Sequence, residues 1–158
     1  MECLMTFADY FVEITSKSCE ILGLPCLNSQ TAKICSNKLL VRKILKDKLD
    51  SCVNFWGISS EEELYKFKDD LPYPVIIKPV DSSASIEVKK CWNFSQLIEQ
   101  YKMIKSRPIN SRKQIRAREV IIEEYIDGKE VSIETLSYKG EHTIIGVVDK
   151  LVKGENEF

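Results

Sequence analysis

Apolar positions recur with helical spacing in the first part of the chain and gather into short runs further on. Phe7, Tyr10, Phe11, Ile14, Ile21 and Leu22 fall mostly on one stripe and predict a helix over 6–22. Gly23-Leu24-Pro25 ends it, because glycine tolerates a left-handed cap and proline cannot continue the helix. Asn28 or Ser29 caps a short helix to about Cys35. A helix over 37–49 follows, with Leu40, Val41, Ile44 and Leu45 as its apolar face and Lys38 and Arg42 one turn apart at its edge. Residues 52–57 read as a strand, and Ser60-Glu61-Glu62-Glu63 opens a helix with an acidic first turn that runs to about Asp70.

The strongest strand pattern is Tyr73-Pro74-Val75-Ile76-Ile77-Lys78-Pro79. A turn of small polar residues, Asp81-Ser82-Ser83-Ala84-Ser85, leads to another strand over 86–91. Asn93 and Gln96 form a capping-box pattern, and Phe94, Leu97, Ile98, Tyr101 and Ile104 give the next helix a buried stripe. Residues 107–118 hold five arginines or lysines and few apolar groups, which reads as a solvated surface loop. Strands over 119–126, 130–137 and 142–150 follow as a meander, with turns at Asp127-Gly128 and Lys139-Gly140. Helices and strands mix without the regular alternation of a doubly wound sheet, so the expected class is α+β.

Composition narrows this little. The 158 residues are 44% hydrophobic and 30% charged, the pattern of a soluble domain able to build a core. With 23 Lys+Arg against 24 Asp+Glu, the chain lacks the basic excess of a non-specific nucleic-acid binder. No apolar run approaches the ~18 residues of a membrane span. Met1-Glu2-Cys3-Leu4-Met5 has neither the basic flank nor the apolar core of a secretory signal. The cysteines at 3, 19, 26, 35, 52 and 91 form no C-x-x-C pair, and we expect reduced, mostly buried thiols in a cytoplasmic protein. The sole histidine, His142, excludes a site needing two imidazoles from this chain and is expected to be exposed.

Three features carry candidate chemistry. Lys78 ends a strand that is otherwise apolar, so it needs a partner or an anionic ligand unless its stem simply carries the ammonium to solvent. The Asp81–Ser85 turn offers backbone N–H groups that could wrap a phosphate, and equally suits a plain exposed turn. In the strand after Lys129, alternation sets Val131 and Ile133 on one side and Glu130, Ser132 and Glu134 on the other. That polar side either meets a polar ligand or faces water.

In this order and spacing, these segments resemble the ATP-grasp superfamily, and among its members the carboxylate–amine ligases. The matching text is Leu22-Gly23-Leu24-Pro25, then Asn37-Lys38 with Arg42, then Pro74-Val75-Ile76-Ile77-Lys78-Pro79 with its small-residue loop. The stretch from Val120-Ile121-Ile122-Glu123-Glu124-Tyr125-Ile126 through Gly128-Lys129-Glu130 to Glu134 continues it, as do Gly140-Glu141-His142 and Gly146-Val147-Val148-Asp149-Lys150. The resemblance implies a small α+β subdomain followed by the start of a second, antiparallel-sheet lobe. It implies that 1–25 end a preceding domain, that 26–150 form the nucleotide-binding region and that 151–158 are a tail.

The same resemblance implies roles. Lys38 would reach the nucleotide phosphates, Lys78 would bridge phosphates and adenine, and Ser82 and Ser83 would sit in the phosphate loop. Glu123, Glu124, Tyr125 and Ile126 would hold adenine, with backbone groups near Glu124 and Ile126 reading its edge. Glu130 would accept from the ribose hydroxyls and Lys150 would add a phosphate contact. The implied partners are ATP, a carboxylate and an amine joined through an acyl phosphate, with Mg2+ ligands expected beyond residue 158. Where the family's loop usually carries several glycines and an arginine, this chain has Ser82, Ala84, Ile86 and Glu87. A non-catalytic nucleotide-binding remnant that cannot hold magnesium is the alternative.

Overall fold

Side chains of an extended strand alternate between faces, and that rule organises the first part of the molecule. The computed structural model describes residues 2–49, 53–110 and 112–150, so Cys52 and the 151–158 tail lie outside the described residues. Strands β1 (Phe55–Ile58), β2 (Val75–Pro79), β3 (Lys89–Cys91) and β4 (Val120–Glu124) form one antiparallel sheet in the order β1-β4-β2-β3. Val75, Ile77, Val120 and Ile122 point to one face. There they meet Leu64 of helix α4 (Glu61–Lys66) and Leu97, Tyr101 and Ile104 of helix α5 (Phe94–Lys105), forming the main core. Ile121 and Val80 lie in a second cluster, where Leu39 of helix α3 (Lys38–Lys46) covers them beside Phe55. Both faces of β4 are therefore buried, although it is flanked only by antiparallel partners.

Helix starts follow the capping residues. Asn28 accepts from the N–H groups of Gln30 and Thr31 at 3.0 and 3.2 Å at the head of helix α2 (Ser29–Cys35). Asn37 does the same for α3, Ser60 for α4 and Asn93 for α5. Gln96 accepts from the Trp92 N–H at 2.8 Å, one residue before the Asn93 N–H that a capping box would engage. Helix α1 (Val12–Leu22) ends at Gly23 with φ 64°, whose N–H bonds back to the last turn.

Several expectations are corrected. The first helix starts at Val12 after a 3-10 turn over Asp9–Phe11, and its buried residues are Ser16 and Cys19, whereas Phe7, Ile14 and Ile21 are exposed. Its neighbour is α2, whose buried residue is Ala32. On α3 the buried residue is Leu39 and Ile44 is exposed. Gly57 explains this: a Cβ there would lie 2.6 Å from Leu39 Cδ2, so the missing side chain makes room for the leucine. The strand expected over 52–57 is Phe55–Ile58, and that expected over 86–91 shrinks to Lys89–Cys91 because Ala84, Ser85 and Glu87 adopt φ of 53°, 53° and 62°. The three-strand meander does not form, since β4 joins the four-stranded sheet. The five described cysteines are free, but Cys3, Cys26 and Cys35 are exposed and only Cys19 and Cys91 of these are buried.

The chain divides into two compact units between Tyr125 and Ile126. In the second, β5 (Val131–Tyr138) and β6 (Glu141–Asp149) pair as an antiparallel hairpin with a register shift at Glu134/Thr135. Its turn uses Lys139 at φ 50° and Gly140 at φ 85°. His142 is exposed and its Nδ1 lies 2.8 Å from the Ser137 hydroxyl. No described helix is long and apolar enough to cross a membrane.

The Leu39–Gly57 contact yields a stability test. Gly57→Ala is expected to cost about 1–3 kcal/mol by overpacking. In the Leu39→Ala background the same change should cost less, because the colliding methyls are gone. Denaturant unfolding of the two single variants and the double variant measures this coupling.

Candidate functional site

Lys78 is half-buried, so its charge requires compensation. Register supplies it. Ile76 pairs with Glu123 and Lys78 with Ile121, which places Lys78 and Glu123 diagonally on one sheet face. Lys78 Nζ lies 2.5 Å from Glu123 Oε2. The other carboxylate oxygen accepts from Arg42 Nε at 2.6 Å, across from α3. Glu123 is only 5% exposed, so both its oxygens are held by cations in a largely water-free setting. Burial alone would raise its pKa, but the charges and hydrogen bonds of Lys78 and Arg42 outweigh burial and hold the carboxyl below its ordinary 4.5.

Lys38 stands at the first position of α3, one turn before Arg42. Its backbone N–H donates to Val80 O at 2.9 Å and its ammonium donates to the Ser82 carbonyl, tying the helix start to the segment after β2. Burial and the like charge of Lys78 lower the Lys38 pKa from 10.5, while Asp81, Glu123 and Asp9 pull the other way. An anion placed beside Lys38 and Lys78 would relieve that repulsion.

The 81–88 loop follows. Ser82 is buried and its hydroxyl donates to Ile86 O at 3.3 Å, while the Ser83 N–H reaches the Tyr10 hydroxyl at 3.5 Å. Asp81 accepts from the Ala117 N–H at 2.5 Å, and Gln100 donates to Glu87 O at 2.9 Å. Glu87 pairs with Arg107 at 3.0 Å and with Arg116 at 2.6 Å. The Arg116 contact is an ion pair rather than a directed hydrogen bond, since its geometry leaves Glu87 Oε2 without a hydrogen-bond donor. The Arg116 side chain is 8% exposed, so the expectation of a solvated 107–118 loop is corrected at this residue. Beside the loop lies a cleft of about 870 Å3, whose walls include Tyr10, Lys17, Lys33, Lys38, Ser82 and Ala84.

Beyond Glu123, the Glu124 carboxylate accepts from the Asn54 N–H at 3.1 Å and from its side-chain amide at 2.8 Å. The Glu124 N–H donates to Asn54 O at 3.0 Å and the Tyr125 N–H to Pro74 O at 3.3 Å. The Tyr125 ring carries the Lys90 ammonium 3.4 Å from its centroid, and the same ammonium lies 4.3 Å from the Trp92 centroid. In the second unit, Ile126 is exposed, and Glu130 accepts from Lys150 Nζ at 2.5 Å and from the Lys150 N–H at 3.0 Å.

The structure thus brings Lys38, Lys78, Ser82 and Glu123 together in the first unit and pairs Glu130 with Lys150 in the second. Residues 71–158 match the family model of the ATP-grasp domain. This chain belongs to the ATP-grasp family. A D-alanine--D-alanine ligase of Anaplasma marginale is 29% identical over 137 residues, which cover 85% of this chain and 37% of that protein. A formate-dependent phosphoribosylglycinamide formyltransferase of Sulfurisphaera tokodaii is 27% identical over 146 residues, covering 91% of this chain and 34% of the relative. The chain spans about a third of the length of these curated relatives. Among solved structures, an L-amino acid ligase from Bacillus licheniformis superposes with a TM-score of 0.77 at 26% identity, over 95% of this chain and 32% of that one. The biotin carboxylase domain of a Hydrogenobacter thermophilus 2-oxoglutarate carboxylase, solved with MgADP, ADP and bicarbonate, shares the fold with a TM-score of 0.74 at 19% identity. It covers 91% of this chain and 32% of its own. The α+β expectation and the ATP-grasp resemblance both hold.

Arg42 and Glu87 were given no site role from the sequence, and Arg116 was read only as part of a solvated loop. Arg42 was legible as the partner of Lys38 one turn away on the same helix edge. Nothing in the ATP-grasp sequence pattern signals Arg116, whose burial depends on where the 107–118 loop folds back.

Glu123 generates a pH test. Its folded pKa lies below the ordinary value, so its stabilising contribution is present above about pH 4.5 and fades as pH falls through the folded pKa. Glu123→Gln should cost about 3–5 kcal/mol near neutrality, by leaving Lys78 and Arg42 without their counter-charge. The gap to the parent protein should narrow below pH 4.5, read by denaturant unfolding across a pH series.

Proposed function

We propose that this chain is the ATP-binding region of an ATP-dependent carboxylate–amine ligase that works through an acyl phosphate. The carrying observation is the group of Lys38, Lys78 and Arg42 beside the 81–88 loop, in which Lys78 and Arg42 share the buried carboxylate Glu123 and Lys38 donates to the Ser82 carbonyl. Membership of the ATP-grasp family and relatives named as D-alanine--D-alanine ligases support the same reading. In that reaction a carboxylate oxygen attacks the terminal phosphorus of ATP, ADP leaves, and the amine then displaces phosphate from the acyl phosphate.

The residues fit a polyphosphate. Lys38 is half-buried next to a second ammonium, so it favours an anion at close range. Lys78 would touch phosphate and adenine while staying anchored by Glu123. Ser82 and Ser83 would present the loop. The segment from Glu123 to Ile126 would hold adenine, Glu130 the ribose hydroxyls, and Lys150 a further phosphate oxygen. Such catalysis is positioning plus neutralisation of phosphate charge, to which magnesium adds when bound. Among the described residues no group of three or more His, Cys, Asp or Glu could hold a metal ion. The family resemblance alone assigns the Mg2+ ligands to sequence beyond residue 158. The division at 25/26 and 150/151 belongs to the same proposal.

One observation favours the second reading, a nucleotide-binding chain without catalysis: the 81–88 loop has no glycine and carries the carboxylate of Glu87. Calorimetric titration with ADP and ATP, with and without magnesium, tests the binding common to both readings. We expect saturable binding that weakens at least about ten-fold in Lys78→Ala and in Glu130→Ala, the scale of one charge-assisted contact. Thermal unfolding checks that each variant is folded. Binding indifferent to both substitutions would remove the residue assignment. Formation of ADP from ATP in the presence of candidate carboxylates and amines separates the two readings.

A further inference from the structure

Resting on the nucleotide reading, we propose that Glu87 and Arg116 are positioning residues. Their ion pair, reinforced by Arg107, latches the 81–88 loop into a backbone form suited to cradling phosphate.

Three residues of this loop sit in a region of backbone space that favours glycine, and none is glycine: Ala84 at 53°, Ser85 at 53° and Glu87 at 62°. Side chains resist that conformation, so the surroundings must impose it. Contacts holding the loop converge on its two ends. At the start, Asp81 accepts from Ala117 and the Ser82 carbonyl accepts from Lys38. At the far end, the Glu87 carbonyl accepts from buried Gln100, and its carboxylate lies between Arg107 and Arg116. The Glu87 and Arg116 side chains are 6% and 8% exposed. Low exposure makes the pair costly to break from one side only.

The tip is left free. Ile86 and Val88 direct their N–H groups to Ser83 O and Ser85 O, whereas those of Ala84 and Ser85 have no hydrogen-bond partner among the described residues. Ala84 and Ser85 are exposed and sit in the segment that follows the Lys38 contact at Ser82. Fixed ends, two free adjacent N–H groups and a nearby lysine make an anion cradle whose shape is set by side chains instead of by glycine. The carboxylate that a glycine at position 87 would lack is then the anchor of the loop, directed at arginines rather than at the ligand.

The test uses the whole chain and the variants Glu87→Gln, Arg116→Gln, Arg116→Lys and the Glu87→Gln/Arg116→Gln pair. Hydrogen exchange reads the amides of Ile86 and Val88, which are hydrogen-bonded within the loop, and calorimetry compares ADP with adenosine, which lacks phosphate. We expect exchange at Ile86 and Val88 to accelerate about ten-fold in both single Gln variants and ADP affinity to drop by a similar factor, with adenosine affinity held within about two-fold. The pair should be no worse than either single change, and Arg116→Lys should recover part of the loss. Equal losses for ADP and adenosine would overturn the positioning role, since they would mark general damage to the fold. Unchanged exchange at Ile86 and Val88 would overturn the latch. If the parent chain binds neither ligand, the nucleotide reading fails, and exchange in Glu87→Gln still decides the latch. Should Arg116→Gln not fold, Arg107→Gln, at a 60% exposed side chain, replaces it with the same expected direction.

Discussion

Everything on the charged face of the four-stranded sheet depends on one buried carboxylate. Glu123 takes Lys78 from its own sheet and Arg42 from α3, and so joins the helix to the strands through charge where the neighbouring cluster of Leu39, Val80 and Ile121 joins them through apolar contact. A pair of cations facing each other without it would repel. With it, two cations are neutralised only in part and Lys38 adds a third. The region is therefore structurally settled while keeping a residual attraction for anions.

The sheet separates two duties by face. Val75, Ile77, Val120 and Ile122 look toward α4 and α5, where aliphatic and aromatic side chains supply cohesion. Ile76, Lys78, Ile121 and Glu123 look the other way. The apolar core can therefore be optimised for packing without disturbing the charges, and the charges are held by strands whose positions the core fixes. The loop after β2 inherits this rigidity at both ends, through α3 on one side and α5 on the other.

Local signals were the legible ones. Asn28, Asn37, Ser60 and Asn93 mark helix starts because a cap acts within three residues of itself. Lys78 was legible as a charge in need of an answer, because a single strand shows its burial. Its partner was not, since finding Glu123 requires the register of β2 on β4. The stripe of α1 was misread for a related reason: Ser16 and Cys19 are its buried residues, and no property of α1 alone favours them over Ile14 or Ile21. Leu39 depended on a gap at Gly57, eighteen residues away. Family resemblance supplied Lys38 and Glu130 without geometry. It marked Glu87 only as a departure from the family's loop and offered no role for Arg116.

The Lys90 ammonium between the rings of Trp92 and Tyr125 gives the protein a built-in optical reporter. Indole emission responds to a charge held 4.3 Å from the ring, and Trp92 is half open to solvent, whereas the other tryptophan, Trp56, packs against the core. Tyr125 closes the first unit, so any displacement of its ring shifts the ammonium that both aromatics share. Events at the edge of the segment that follows Glu123 are thus written into the fluorescence of an unlabelled chain.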